Sequence, residues 1–101
     1  MNITLIEPLE AGRKRLSGPL TFDTVPVLFE QGRQLFKSGA VVELDLSGVE
    51  RSDSAGIALL IGWVRLAQQQ RAKITFHNIP EQLLGLARVG GVEQVLAFEQ
   101  K

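Results

Sequence analysis

The sequence predicts an α/β fold: a mostly parallel sheet with helices packed against it, in the order β-β-α-β-α-β-α-β. Two observations lead to this prediction. Short β-prone runs alternate with segments whose apolar residues recur at helical spacing, and the run "AVVELDLSGV" is almost continuously apolar. Such alternation is typical of parallel sheets with right-handed crossovers, and continuous apolar runs are typical of strands covered on both faces. The 101 residues suffice for one domain, which we expect to span residues 1–101.

Residues 3–39 are predicted to form the first two strands and the first helix. Residues 3–6 and 14–18 are β-prone, and the "EAG" between them favours a hairpin. Beyond Asp23 the spacing of apolar residues predicts the first helix, because they recur at i, i+3, i+4, i+10 and i+11 from Val25. Asp23 or Thr24 can cap this helix, and Gly39 suits its end.

The remaining elements follow in alternation. Residues 40–49 are predicted to form the third strand, residues 54–70 the second helix, and residues 72–79 the fourth strand, which ends before Pro80. Residues 80–91 have a proline at their start and glycines at their end, which indicates a short third helix. The run "VEQVLAF", residues 92–98, is predicted to be the last strand.

The stretch "VVELDLSGVERSDSAGIALLIGWVRLAQQQRAKITFHNIP", taken with this order of elements, resembles the STAS domain. Its most specific part is a D-L-S-x-V strand end followed by D-S-x-G at a helix start. The resemblance covers essentially the whole chain and implies a STAS-like (SpoIIAA-like) fold. In the anti-sigma-factor antagonists of this family, a kinase phosphorylates the serine or threonine directly before the glycine. Here that position is Ala55, which has no hydroxyl.

The motif is more similar to that of the MlaB-type STAS proteins, which carry D-T-G-G and bind the ATPase of a phospholipid-transporting ABC system. Asp53-Ser54-Ala55-Gly56 fits this variant, with Ser54 in the place of the threonine. The resemblance implies a non-catalytic accessory subunit that supports outer-membrane lipid asymmetry. Such a subunit is cytoplasmic and is held at the inner membrane by its partner complex. The alternative is an anti-sigma-factor antagonist regulated by serine phosphorylation.

Three residues at the start of the second helix are candidates for a functional role. Asp53 is expected to cap the helix, because its carboxylate can accept backbone N–H bonds and complements the helix dipole. Free N–H groups at a helix start also bind anions, so phosphorylation of Ser54 is one possibility. Direct contact of Ser54 with a protein partner is the other, and the resemblance supports it. Gly56 allows the helix start to approach the sheet closely.

The second helix is apolar over more than half of its circumference. One stripe is the natural core face, and it comprises Ile57, Leu60, Ile61, Val64 and Ala67. Leu59, Trp63 and Leu66 extend the apolar arc to about 220°. Either the helix lies deep between its neighbours, or these three side chains, with Arg65 at the rim, contact a partner. We expect a partner surface, which would also favour self-association of the isolated protein.

Composition argues against several other classes of function. Lys+Arg and Asp+Glu number 11 each, so no net field attracts nucleic acid. The chain has no cysteine and a lone histidine, His77, so neither a metal nor a cofactor is expected. Ser54 has only Asp53 beside it as a potential base, which argues against an enzyme.

Nothing in the sequence predicts direct insertion into a membrane. The longest apolar run, residues 57–64, is much shorter than the roughly 20 residues that a spanning helix needs. The start, "MNITLIEPLEAGRK", lacks the basic and apolar regions of a secretory signal. A cytoplasmic protein is therefore expected.

Overall fold

The structure is a computed structural model that describes residues 5–96 of the chain. Within this part the elements follow one another as β1 (Leu5–Pro8), a 3-10 turn (Glu10–Gly12), β2 (Lys14–Leu20), α1 (Val25–Arg33), β3 (Val41–Ser52), α2 (Ser54–Gln69), β4 (Lys73–His77), α3 (Glu81–Val89) and α4 (Glu93–Leu96).

The strands form one mixed sheet in the order β1-β2-β3-β4. Strand β1 is antiparallel to β2, and the turn between them brings Ala11 and Gly12 into the left-handed region, with φ of 59° and 76°. The predicted hairpin is therefore confirmed. Strands β2 and β3 are parallel, as are β3 and β4, so α1 and α2 are the crossover connections between them. This arrangement confirms the predicted mostly parallel sheet.

The helices cover only one face of the sheet. Along β3, Val42, Leu44 and Leu46 are buried in the core, whereas Val41 and Ser47, which point to the other face, are exposed. The prediction that β3 is covered on both faces is wrong. The reason is that α2 contacts α1, α3 and α4, so the helices form one layer rather than two.

Asp45 is buried, although Val41 and Ser47 on the same face of β3 are exposed. Its Oδ1 accepts hydrogen bonds from the Ser47 backbone N–H at 2.8 Å and from Asn78 Nδ2 at 3.2 Å. Burial raises the pKa of Asp45, but the hydrogen bonds from Ser47 and Asn78, together with the charge of Arg15, lower it below its ordinary value. The carboxylate thus ties the loop after β4 to β3.

The prediction of a last strand over residues 92–98 is wrong for the residues that the structure describes. Residues 93–96 form the short helix α4, and residues 97 and 98 lie outside the described part. After the turn at Gly90 and Gly91, the Val92 N–H donates to the Ala87 carbonyl at 2.9 Å, which folds the chain back onto α3. Val92 and Leu96 then pack against the core at the i, i+4 spacing of a helix.

Helix α1 is shorter than the sequence predicts, because it ends at Arg33 rather than near Gly39. Phe36 still reaches the core. A tight turn brings it there, in which the N–H of Leu35 donates to Gly32 and that of Phe36 to Arg33. Apolar residues at helical spacing therefore continue beyond the end of the helix.

Candidate partner-binding site

Helix α2 begins where β3 ends, and Asp53 joins the two. The Asp53 backbone is extended, and its Oδ1 accepts the N–H of Ala55 at 2.8 Å. Its own N–H donates to the carbonyl of Leu20 at the end of β2, at 3.0 Å. The predicted helix cap is confirmed, and the helix start is fixed to the ends of two parallel strands.

Ser54 is the first residue of α2, and its side chain is exposed. Ala55, which occupies the position of the phosphorylated residue in the antagonists, is only 7% exposed. The accessible hydroxyl at this corner therefore belongs to Ser54. Both contact of Ser54 with a partner and its phosphorylation stay predictions.

Gly56 allows the helix start to lie against the strand ends. A Cβ at this position would overlap the Ser52 Oγ and would lie 2.9 Å from the Cβ of Leu20. Since real Cβ atoms do not approach so closely, the predicted close packing at Gly56 is confirmed. Ser52 is itself held, because its N–H donates to the Gln82 side chain of α3 at 3.0 Å.

The prediction that Leu59 and Trp63 contact a partner is wrong, because each side chain is only 1% exposed. Trp63 packs where α1 has a glycine, Gly32, whose absent side chain leaves space for the indole ring. The indole Nε1–H donates to the Phe29 carbonyl at 3.5 Å, and the Phe36 ring lies 6.4 Å away between centroids. Leu66 is half-buried and packs against the core. The alternative of deep burial therefore holds for Leu59 and Trp63.

The core-facing side of α2 is rotated by about 90° from the predicted stripe at 100° per residue. Ile57 and Ile61, which the sequence predicts in the core, pack against its edge and are only partly buried, whereas Trp63 lies near the centre of the buried side. The burial of Leu59 and Trp63 also removes the apolar surface on which the expected self-association depends. The signal that could have corrected the prediction is Gly32, a glycine inside the helical segment of α1.

The outward side of α2 forms a row that we call the α2 ridge, made of Ser54, Ala58, Ile61 and Arg65. Ser54, Ala58 and Arg65 are exposed and Ile61 is half-exposed. At 100° per residue the four lie within about 60° of one another around the helix axis. The ridge keeps the predicted Ser54 and Arg65 and adds Ala58 and Ile61, which sequence reasoning missed. The ridge carries the hydroxyl of Ser54, the apolar side chains of Ala58 and Ile61, and the positive charge of Arg65.

His77 lies on the face of the sheet that the helices leave open, so it is separated from Ser54 by the sheet. Its Nε2 is 3.1 Å from Oε1 of Glu43, which lies on β3 two residues before Asp45, the cross-strand partner of His77. Asp53 already uses a carboxylate oxygen in the helix cap. Within residues 5–96, no three His, Asp or Glu side chains come together to hold a metal ion. None of the helices in this part of the chain is long and apolar enough to cross a membrane.

Comparison with protein families and curated proteins gives consistent matches. The family model described as "Mlab, STAS domain" matches residues 4–97. The intermembrane phospholipid transport system binding protein MlaB of Escherichia coli strain K12 is 32% identical over 74 residues, which are 73% of this chain and 74% of that protein. The protein of the same description from Shigella flexneri matches to the same extent.

Two solved structures share the fold. The anti-sigma factor antagonist SpoIIAA in its unphosphorylated form matches with a TM-score of 0.71 at 14% identity, over 98% of this chain and 90% of that one. The murine anion transporter Slc26a9 in its inward-facing state matches with a TM-score of 0.67 at 22% identity. That match covers 90% of this chain and 18% of the transporter, so the chain spans less than a fifth of it. Identities this low establish the STAS-like fold alone.

Proposed function

Since the chain belongs to the STAS domain family, we propose that it is a non-catalytic accessory subunit that binds the ATPase of an ABC transporter for phospholipids. The observation that carries the proposal is the 32% identity to MlaB, whose name describes a binding protein of an intermembrane phospholipid transport system. In this proposal the protein supports outer-membrane lipid asymmetry. It is cytoplasmic and is held at the inner membrane through its partner.

The geometry of α2 supports a protein-binding role. The helix start is fixed by the Asp53 cap and by the Asp53–Leu20 hydrogen bond, so Ser54 has a defined position before a partner arrives. The α2 ridge continues from Ser54 along about three turns of the helix to Arg65. A rigid ridge with a small apolar centre and polar ends has the arrangement common in interfaces, where the apolar centre is buried and the rim is polar.

The positions of the polar side chains support a non-catalytic role. A serine nucleophile needs a base within hydrogen-bond reach. Asp53 is engaged in the cap, and His77 lies on the opposite face of the sheet. Ser54 therefore has the surroundings of a contact residue and not those of an activated nucleophile.

The test is a pull-down of the tagged protein from its native cells with two matched variants. Ala58→Lys places a long charged side chain at the centre of the ridge, where the exposed alanine has none. Val89→Lys, at the end of α3, adds the same charge at a site that is 90% exposed and outside the α2 ridge. We expect wild type and Val89→Lys to retain an ABC ATPase and Ala58→Lys to lose it, with all three equally stable to heat.

The alternative function gives a different result in the same experiment. An anti-sigma-factor antagonist would retain a kinase-like anti-sigma factor, and the intact mass would show one phosphate on Ser54. The exposed hydroxyl of Ser54 is compatible with this alternative, whereas the absence of a hydroxyl at Ala55 argues against it. Retention of an anti-sigma factor in place of an ATPase would refute the proposed function.

A further inference from the structure

Phe22 lies between β2 and α1 and is the bulkiest exposed hydrophobic side chain in the described part of the chain, at 73% exposure. A single exposed apolar residue is common in soluble proteins and needs no explanation by itself. Phe22 differs from such a residue in two respects: the rigidity of the turn that carries it, and its place beside the start of α2.

The turn at residues 21–24 is fixed by the hydroxyl of Thr24. Its Oγ1 accepts the N–H of Thr21 at 2.9 Å and donates to the carbonyl of Pro19 at 2.9 Å. The N–H of Thr24 donates in turn to the carbonyl of Thr21 at 3.1 Å. The backbone on both sides of Phe22 is therefore ordered before binding. An aromatic side chain on an ordered backbone loses less conformational entropy in an interface than one on a flexible loop, which makes it an effective anchor.

The turn lies at the same edge of the sheet as Ser54. The carbonyl of Leu20 accepts the N–H of Asp53, so the end of β2 and the start of α2 are in direct contact. Consecutive Cα atoms are about 3.8 Å apart, which places Phe22 within about 8 Å of Leu20 and Ser54 within about 4 Å of Asp53. An interface of about 800 Å² per partner is roughly 30 Å across. Phe22 and the α2 ridge therefore fit within one footprint.

We propose that Phe22 is the apolar anchor of the surface that binds the transporter ATPase, and that it enters an apolar pocket with a basic rim. This inference rests on the proposed function. The apolar pocket follows from the exposed ring, and the basic rim from the exposed carboxylate of Asp23, which directly follows Phe22 in the turn. The α2 ridge supplies the adjoining contacts, so the surface comprises one loop and one helix.

The test measures binding of the purified ATPase subunit of the same organism's phospholipid-transporting ABC system by titration calorimetry. Truncating an anchor residue weakens binding by about thirtyfold, so we expect Phe22→Ala to raise Kd by that order. Phe22→Leu keeps an apolar side chain and should recover most of the affinity. Val89→Ala, which truncates an even more exposed apolar residue on α3, should leave Kd unchanged. Because Phe22 is exposed, its variants should unfold at the wild-type temperature.

Three outcomes would overturn the inference. If Phe22→Ala binds with the wild-type Kd while Ala58→Lys does not bind, the proposed function stands and Phe22 lies outside the interface. If the wild-type protein does not bind the ATPase, the proposed function fails and this inference fails with it. If Phe22→Ala instead dissociates a dimer of the wild-type protein without changing its affinity for the ATPase, the ring contacts a second copy of the chain.

Discussion

Replacement of Gly32 by alanine tests the packing that orients α2. A Cβ at Gly32 would lie 2.5 Å from Cζ2 and Nε1 of Trp63 and would also overlap Cε2. The indole cannot easily move away, since Nε1 bonds to the Phe29 carbonyl and the ring lies beside Phe36. Overpacking of this kind costs about 1–3 kcal/mol. Since three ring atoms are affected, we take the upper end of this range.

The same substitution also brings a gain, because alanine is better than glycine in a helix interior by about 1 kcal/mol. The net expectation for Gly32→Ala is therefore a loss of about 2 kcal/mol in the free energy of unfolding. For a domain of this size that loss corresponds to a fall of about 10 °C in Tm. Urea unfolding followed by the fluorescence of Trp63, the sole tryptophan, measures it directly.

Gly85→Ala is the matched control, because Gly85 also lies inside a helix, α3, and a Cβ there would meet nothing within 4 Å. It should gain up to about 1 kcal/mol, so the two variants should differ by about 3 kcal/mol. If Gly32→Ala is as stable as the wild-type protein, the account of how Trp63 is accommodated is wrong. If both variants lose the same free energy, the effect belongs to helical glycines in general.

Three further predictions concern the surroundings of the α2 start and the buried carboxylate. Asp53→Ala removes the helix cap and should cost about 0.5–2 kcal/mol in thermal unfolding, whereas Asp53→Asn should retain most of that stability; equal losses would exclude a capping role. Gly56→Ala should lower the free energy of unfolding by about 1–3 kcal/mol, because the new Cβ overlaps the Ser52 side chain. Combining it with Ser52→Gly should recover part of that stability, which a double-mutant cycle by urea unfolding measures. The lowered pKa of Asp45 stabilises the folded state above its unfolded pKa, near 3.8, and this contribution is lost as the pH falls through the folded pKa. The stability difference between wild type and Asp45→Asn should accordingly shrink between about pH 7 and about pH 2.5, and a difference independent of pH would contradict the assignment.

The order of the elements from β1 to α3 could be predicted because strand-like and helical spacings of apolar residues alternate along the chain, although the helical spacing of α1 continues beyond its end at Arg33. Local chemistry also predicted the cap at Asp53, which depends on adjacent residues, and the close approach at Gly56, although one of its two contacts, Leu20, is distant in sequence. The end of the chain could not be predicted in the same way. In "VEQVLAF" the short apolar run suits a strand and a helix equally, and the contact of Leu96 with the core decides between them.

The orientation of α2 could not be derived from its own residues. When more than half of a helix is apolar, periodicity does not determine which apolar side faces the core. The orientation of α2 depends on the packing of Trp63 into the space beside Gly32, and Gly32 belongs to α1. The sequence therefore predicted the helix and its start correctly but placed the partner surface on side chains that the structure buries.

The division of α2 into a buried side and an outward ridge also bears on how such a protein can diverge. The side chains that hold the fold, such as Trp63 and Leu59, are separate from those of the ridge, such as Ala58 and Arg65. Exposed positions away from special structural features accept substitution at a cost within about 0.5 kcal/mol. Under the proposed function, binding specificity can therefore change at the ridge during evolution or in the laboratory while the buried side of α2 stays the same.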